Sequence, residues 1–227
     1  MPPPVSSPRS SDECIVRSLF LDRRMRFLWI PGRRKKLAMA SFNLGLACRD
    51  KSNSSLAEAN FRRVQILFQG RRPANSKDSL ESFALVAGSH NHIGLMCLEA
   101  GRPMDACPSF DRAIEIRRDL HRLFADDREN QIYLGGALCN RAHSVADSDK
   151  DEAMDYYQQS LALLRQPTRT CECSYWDEQR QSWWCEQMEA LGNAMGLQWV
   201  FLAPKFIDNA MQGLRSLEPP TTAQPPS

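Results

Sequence analysis

The sequence has no apolar run approaching 18 residues, and this excludes a membrane-spanning helix of ordinary length. Its charges nearly balance, with a formal net charge of +2, so overall charge gives no argument for nucleic acid as a partner. Proline is scarce in the middle of the chain, where only three of the 14 lie between residues 32 and 165. Because proline interrupts helices, the middle of the chain is free to form them.

Motifs for common enzyme classes are also missing. The chain contains no G-x-S-x-G, no G-x-x-x-x-G-K-[ST], no G-x-G-x-x-G after a strand, and neither H-R-D nor D-F-G. His90 and His92 lie two residues apart, so on a helix they point to different faces and cannot bind one ion together. We expect His90 to pack inside and His92 to face outward. The sequence therefore predicts a protein that is not an enzyme and has no cofactor.

Four of the eight cysteines, Cys48, Cys97, Cys107 and Cys139, fall within apolar helical patterns, where a reduced cysteine packs as a small hydrophobe. This indicates a reducing, cytoplasmic compartment. The best metal candidate is Cys171-x-Cys173 with Cys185. A structural zinc site needs four ligands, usually in two close pairs, and only one pair is present here. We predict reduced thiols in a loop and no bound metal.

The most regular pattern runs from Ala87 to Leu120 and predicts two helices folded back on each other. Gly101 can take a positive φ and end the first helix, while Pro103 fits the start of the second. Small residues would let the helix backbones approach closely, with large residues filling the space beside them. The positions that recur at helical spacing and are expected to pack inside are His90, Ile93, Gly94, Cys97, Ala106, Phe110 and Ala113.

Two further copies of this pattern flank the first. The earlier copy has Gly45, Ala57 and Phe61, with the glycine twelve residues before the alanine, as Gly94 precedes Ala106. The later copy is weaker, with Ala153 and Tyr157 in its second helix and Ala142 in the glycine position. The second-helix aromatics Phe61, Phe110 and Tyr157 are 49 and 47 residues apart.

This pattern resembles the tetratricopeptide repeat (TPR), which places a bulky residue, Leu-Gly, an aromatic, and then Ala-x3-Phe and a final Ala at this spacing. The chain departs from the family at His90 and Cys97, where aromatics are preferred, and at Arg118, where Pro is common. Plain TPR units repeat every 34 residues. The longer period is similar to the long-repeat variety of kinesin light chains and of the repeat tails of bacterial multidomain Ser/Thr kinases, and it indicates longer helices, longer links or both.

The resemblance implies an all-α fold, a right-handed α-solenoid of about three TPR-like hairpins closed by a C-terminal capping helix pair. We expect Asp78 with Glu81 to cap the helix that precedes Gly94, and Pro204 to start the last helix. The predicted domains are a disordered basic arm 1–36, repeats at about 39–70, 85–120 and 136–165, a tryptophan-rich helix pair 175–217 and a disordered tail 218–227.

In such a solenoid the first helices of the hairpins line a concave groove. A groove lined this way would accept an apolar or extended peptide, with Arg49 available for an acidic group. Phe42, Leu46 and Leu95 stand where a clamp for a chaperone's C-terminal carboxylate needs polar residues, which disfavours that partner. The predicted groove residues are Phe42, Leu46, Arg49, Asn91, Leu95, Leu98, Cys139 and His143.

The resemblance therefore implies a protein–protein interaction module or scaffold that binds a partner segment in this groove. One alternative is a regulatory repeat piece associated with a Ser/Thr kinase encoded elsewhere. A second is nucleic-acid binding through the basic arm, whose arginines and lysines could neutralise phosphates. We regard nucleic acid as the less favoured partner, because a basic stretch is more often a solvated lead-in.

Overall fold

The computed structural model describes residues 32–165 and 199–217, with side chains from residue 202 onward in the second range. Across these residues the chain forms seven α-helices and no β-strand, which confirms the all-α prediction. The helices are α1 (Arg33–Asp50), α2 (Ser54–Leu67), α3 (Lys77–Glu99), α4 (Pro103–Leu123), α5 (Arg128–Val145), α6 (Lys150–Leu164) and α7 (Trp199–Leu217).

The chain divides into two compact units, an N-terminal unit up to Arg71 and a C-terminal unit from Arg72. In the N-terminal unit, α1 and α2 pack as one hairpin. In the C-terminal unit, α3 packs on α4, α4 on α5 and α5 on α6, while α7 packs against both α5 and α6. Helices that are neighbours in sequence are therefore neighbours in space within each unit, as short connections favour.

Four helices begin at a polar residue whose side chain accepts a hydrogen bond from the first turn. These caps are Asn53 for α2, Ser76 for α3, Asp127 for α5 and Asp149 for α6. The prediction that Asp78 caps α3 is wrong, because the Ser76 hydroxyl accepts from the Ser79 amide at 3.2 Å. Asp78 lies instead in the first turn, where a negative charge complements the helix dipole.

The turn between α3 and α4 has the predicted geometry. Gly101 has a φ of +70°, a left-handed conformation that side chains disfavour, and its amide donates to the Leu98 carbonyl at 2.9 Å. Pro103 is the first residue of α4.

The hairpins α1–α2 and α3–α4 have the same contact at their centres. A Cβ added to Gly45 would lie 2.7 Å from Phe61 Cε1, and one added to Gly94 would lie 2.6 Å from Phe110 Cε1. Both phenylalanines are 0% exposed. The nine residues proposed from the sequence to hold the repeats together are all buried: Gly45, Ala57, Phe61, Gly94, Ala106, Phe110, Ala113, Ala153 and Tyr157.

Helix α7 covers the apolar surface of the last hairpin. Its Ala210 and Leu217 join a buried cluster with Cys139, Tyr157 and Leu161 of α5 and α6. The opposite side of α7 is polar, with Lys205, Asp208, Gln212 and Arg215 exposed.

Two predicted boundaries differ from the structure. Pro204 lies inside α7 and does not start it. Residues 33–36, which we assigned to the disordered arm, belong to α1. The rest of the predicted arm, residues 175–198 of the predicted helix pair and the tail 218–227 lie outside the described residues. Among the helices described, none combines the length and apolarity that a membrane span requires.

Candidate functional site

Three of the predicted groove residues, Phe42, Leu46 and Arg49, lie on α1 in the N-terminal unit. All three are half-buried. The Phe42 ring meets the Phe61 ring edge-on, with centroids 5.6 Å apart. Phe42 therefore contributes to packing within its own hairpin as well as to the surface of α1.

The C-terminal unit brings the first helices of two hairpins together through an asparagine pair. Asn140 Nδ2 on α5 donates to Asn91 Oδ1 on α3 at 3.0 Å. Both residues are half-buried. Among the described residues, neither side-chain amide makes a second hydrogen bond, so the Asn91 amide nitrogen and the Asn140 amide oxygen remain available as one donor and one acceptor.

Leu95 and Leu98 extend the same surface along α3. They follow Asn91 by four and seven residues, a spacing that places all three on one side of a helix. Both leucines are half-buried. We call this set of Asn91, Leu95, Leu98 and Asn140 the asparagine–leucine face. It combines an amide pair with partly exposed apolar surface.

The remaining two groove residues, Cys139 and His143, lie one turn apart on α5 but differ in exposure. Cys139 is 0% exposed and belongs to the cluster beneath α7, so it offers no surface to a partner, and its assignment to the groove is corrected. Burial raises the pKa of its thiol to about 12, so the sulfur stays protonated.

His143 is exposed, and both of its ring nitrogens have neighbours. Nδ1 hydrogen-bonds with the Tyr157 hydroxyl, and Nε2 lies 3.6 Å from Cys139 Sγ. Burial of the ring's inner part lowers the pKa of His143, which favours the neutral imidazole. The side chain therefore hydrogen-bonds to Tyr157 while remaining exposed to solvent.

Two buried arginines at the α4–α5 interface were missed from the sequence. Arg141 donates to Asp111 at 2.7 Å and to Glu152 at 3.0 Å, and its guanidinium lies over the Tyr156 ring, 5.1 Å from the centroid. It thereby ties α5 to both α4 and α6. Its burial could have been predicted from the repeat alignment, because Ala142 aligned with Gly94 places Arg141 at the position of Ile93 in the preceding hairpin.

The second missed arginine, Arg117, is 6% exposed and links three helices. Its guanidinium donates to Asn130 Oδ1 at 3.1 Å and to the Ala84 carbonyl at 3.3 Å, and it lies 4.8 Å from the centre of the Tyr133 ring. Burial lowers the pKa of Arg117 to about 10, against the opposing attraction of Tyr133 and of nearby carboxylates. The group stays cationic at neutral pH and acts as a structural tie.

The histidines and cysteines of the described part of the chain do not come together as a catalytic or metal-binding site. His90 is half-buried, and its pKa falls to about 4, first through burial and then through repulsion by Arg112, with Glu115 opposing. His92 is half-buried and so not fully outward as we expected. Residues 32–165 and 199–217 hold no group of three histidines, cysteines or carboxylates placed to bind a metal. Cys171, Cys173 and Cys185 lie outside the described residues.

Comparison with known proteins gives no relative to set beside this geometry. No protein-family model matches the chain, and searches of curated proteins and of solved structures return no significant match. The function must therefore be argued from the residues and their contacts.

Proposed function

We propose that this protein is a non-enzymatic protein–protein interaction module built from TPR-like helical repeats in a solenoid. On this proposal it binds an extended segment of a partner protein on the asparagine–leucine face of its C-terminal unit. The single observation that carries the proposal is the Asn91–Asn140 hydrogen bond, which joins the first helices of two successive hairpins at a half-buried surface.

The repeat assignment is supported by the internal geometry of the first two hairpins. In each, a glycine of the first helix lies against a phenylalanine sixteen residues later, at nearly the same distance. The same glycine–phenylalanine contact at the same sequence separation is what a duplicated unit would produce. The polar outer side of α7 supports the role of a terminal cap, which a solenoid needs in order to cover its last apolar face.

The chemistry of the face favours a peptide in extended conformation. A peptide unit presents one N–H donor and one C=O acceptor, and the asparagine pair leaves one acceptor and one donor to meet them. Leu95 and Leu98 add apolar contact for a side chain of the bound segment. Such a face would recognise backbone and shape more than charge.

The experiment is a selection of peptides from a random displayed library on the full-length chain, followed by affinity measurement with variants. We expect selected peptides to lose about tenfold in affinity with Asn91→Ala, since one amide of the pair is removed. Leu95→Glu should lose more, because it places a charge in the apolar part of the face.

The matched control is Met154→Glu, which adds the same charge at a methionine of α6 that is 38% exposed and lies on a second helix. It should leave the affinity within about twofold. Equal losses for Leu95→Glu and Met154→Glu, in chains that melt normally, would contradict binding on this face.

A further inference from the structure

A depression of about 300 Å³ lies between α4 and α6, the second helices of the two hairpins in the C-terminal unit. It shares no lining residue with the asparagine–leucine face. Its volume is at the lower end of the range for small-molecule sites, and it has room for a single side chain of a partner. The lining residues are Asp111, Ile114, Glu115, Arg118, Arg122 and Tyr156.

The lining has two acidic and two basic residues, so its formal charges sum to zero, but not every one of them has an oppositely charged partner. Asp111 is held by Arg141 at 2.7 Å, and Glu115 is held by Arg112, so both acidic groups are neutralised from outside the lining. Arg122 pairs with Asp119 on its own helix. The one charge of the lining left without an opposite partner among the described residues is that of Arg118.

The Arg118 guanidinium is held in place by a neutral group. Nη2 donates to Gln159 Oε1 on α6 at 2.8 Å, which orients the guanidinium across the gap between the two helices. Arg118 is exposed, so its other donors face solvent. An arginine that is oriented but not neutralised is suited to a carboxylate, which it can bind through two parallel hydrogen bonds.

The buried Arg141 lies next to one lining residue, Tyr156, but is already in ion pairs. Arg141 is 8% exposed and lies over the ring of Tyr156, and its Nη1 is buried without a hydrogen bond among the described residues. Tyr156 belongs to the lining and is the residue through which Arg141 contacts it. Arg141 is already paired with Asp111 and Glu152, so its charge is offset and the attraction of the depression for an anion rests on Arg118.

We propose that this depression binds a glutamate side chain from an acidic segment of a partner protein. The carboxylate pairs with Arg118, and the methylene stem lies on Ile114 and the Tyr156 ring. This surface lies on the second helices and goes beyond the function proposed above, since it adds a charge-selective contact separate from the first-helix face.

The test uses the full-length chain and a fluorescein-labelled peptide of ten residues that alternates glycine and glutamate. A peptide with glutamine in place of glutamate is the neutral reference. We expect the glutamate peptide to bind about tenfold more tightly than the glutamine peptide at low salt, and the preference to shrink as salt rises. Fluorescence anisotropy gives both affinities.

Arg118→Gln should remove about tenfold of the affinity for the glutamate peptide, and Arg118→Lys should recover only part of it, since lysine lacks the planar fork. Lys150→Gln is the matched control, because it removes the same charge from an exposed position at the start of α6. It should change the affinity by less than about twofold. Equal binding of the two peptides, or equal weakening by Arg118→Gln and Lys150→Gln, would overturn the proposal.

Discussion

The first two hairpins and the third pack the buried aromatic residue of their second helix against different helices. In α1–α2 and α3–α4, a glycine lets a buried phenylalanine approach the first helix, at Gly45–Phe61 and Gly94–Phe110. In α5–α6 the aromatic is Tyr157, and the position of the glycine is taken by Ala142, which is 0% exposed. The glycine that Tyr157 approaches lies instead on α7, at Gly213.

The difference shows that the packing of the third hairpin includes α7, which covers it. A Cβ on Gly136 of α5 would meet Phe206 of α7 at 2.5 Å, so the covering helix makes a second close contact at a glycine, whereas one on Gly135 would meet Leu164 of α6 within the hairpin at 2.7 Å. The tyrosine hydroxyl gains a hydrogen bond to His143 at the edge of this contact. A phenylalanine in a self-contained hairpin needs no such partner.

The largest expected effect comes from removing what covers the third hairpin. Deleting residues 199–227 should uncover Tyr157, Leu161 and Leu164, which are at most 8% exposed in the intact chain. We expect the truncated chain to aggregate, because a contiguous apolar surface is released. Size-exclusion chromatography with light scattering measures this, and deletion of 218–227 alone is the control. A monodisperse monomer without 199–227 would show that α7 is not a cap.

The next effect concerns the glycine–phenylalanine contact that is found inside each of the first two hairpins. Gly94→Leu forces a side chain into the space of the Phe110 ring, and we expect it to lower the free energy of unfolding by about 3 kcal/mol or more. Ala47→Leu, at an exposed position of α1, should change it by less than about 0.5 kcal/mol. Denaturant unfolding measures both. A near-normal midpoint for Gly94→Leu would count against the close helix approach.

A smaller effect tests the arginine that is specific to the third hairpin. Asp111→Ala leaves Arg141, whose side chain is 10% exposed, with one ion pair fewer, and we expect a loss of about 1–2 kcal/mol in the free energy of unfolding. Arg141→Ile places there the residue type of the preceding hairpin, and its two freed carboxylates, 50% and 38% exposed, can hydrate. It should cost less than about 1 kcal/mol. The reverse order of the two losses would show that the ion pairs stabilise the hairpin more than apolar packing would.

Local features of the fold could be predicted from the sequence because they depend on spacing along one helix pair. Gly101 and Pro103 marked a turn because each has a distinctive backbone preference. Phe61, Phe110 and Tyr157 could be expected in the core because an aromatic four residues after a small residue falls on the same helix face.

What could not be predicted depends on contacts between elements far apart in the chain. Cys139 has the register of a groove residue, yet α7, more than 50 residues later, covers it. The Asn91–Asn140 bond joins residues 49 positions apart, and no local pattern marks either as a partner. Pro204 indicates a helix start in isolation, but here the helix already runs from Trp199.

We propose that the asparagine–leucine face of the C-terminal unit receives an extended partner segment. The most direct measurement is methyl NMR of the full-length chain, labelled at leucine and methionine and titrated with a peptide selected on it. We expect chemical-shift changes that grow together at Leu95 and Leu98, while the signals of Leu123 and Met154, exposed on α4 and α6, stay unchanged. Shifts confined to Leu123 or Met154, with Leu95 and Leu98 unmoved at saturation, would contradict it.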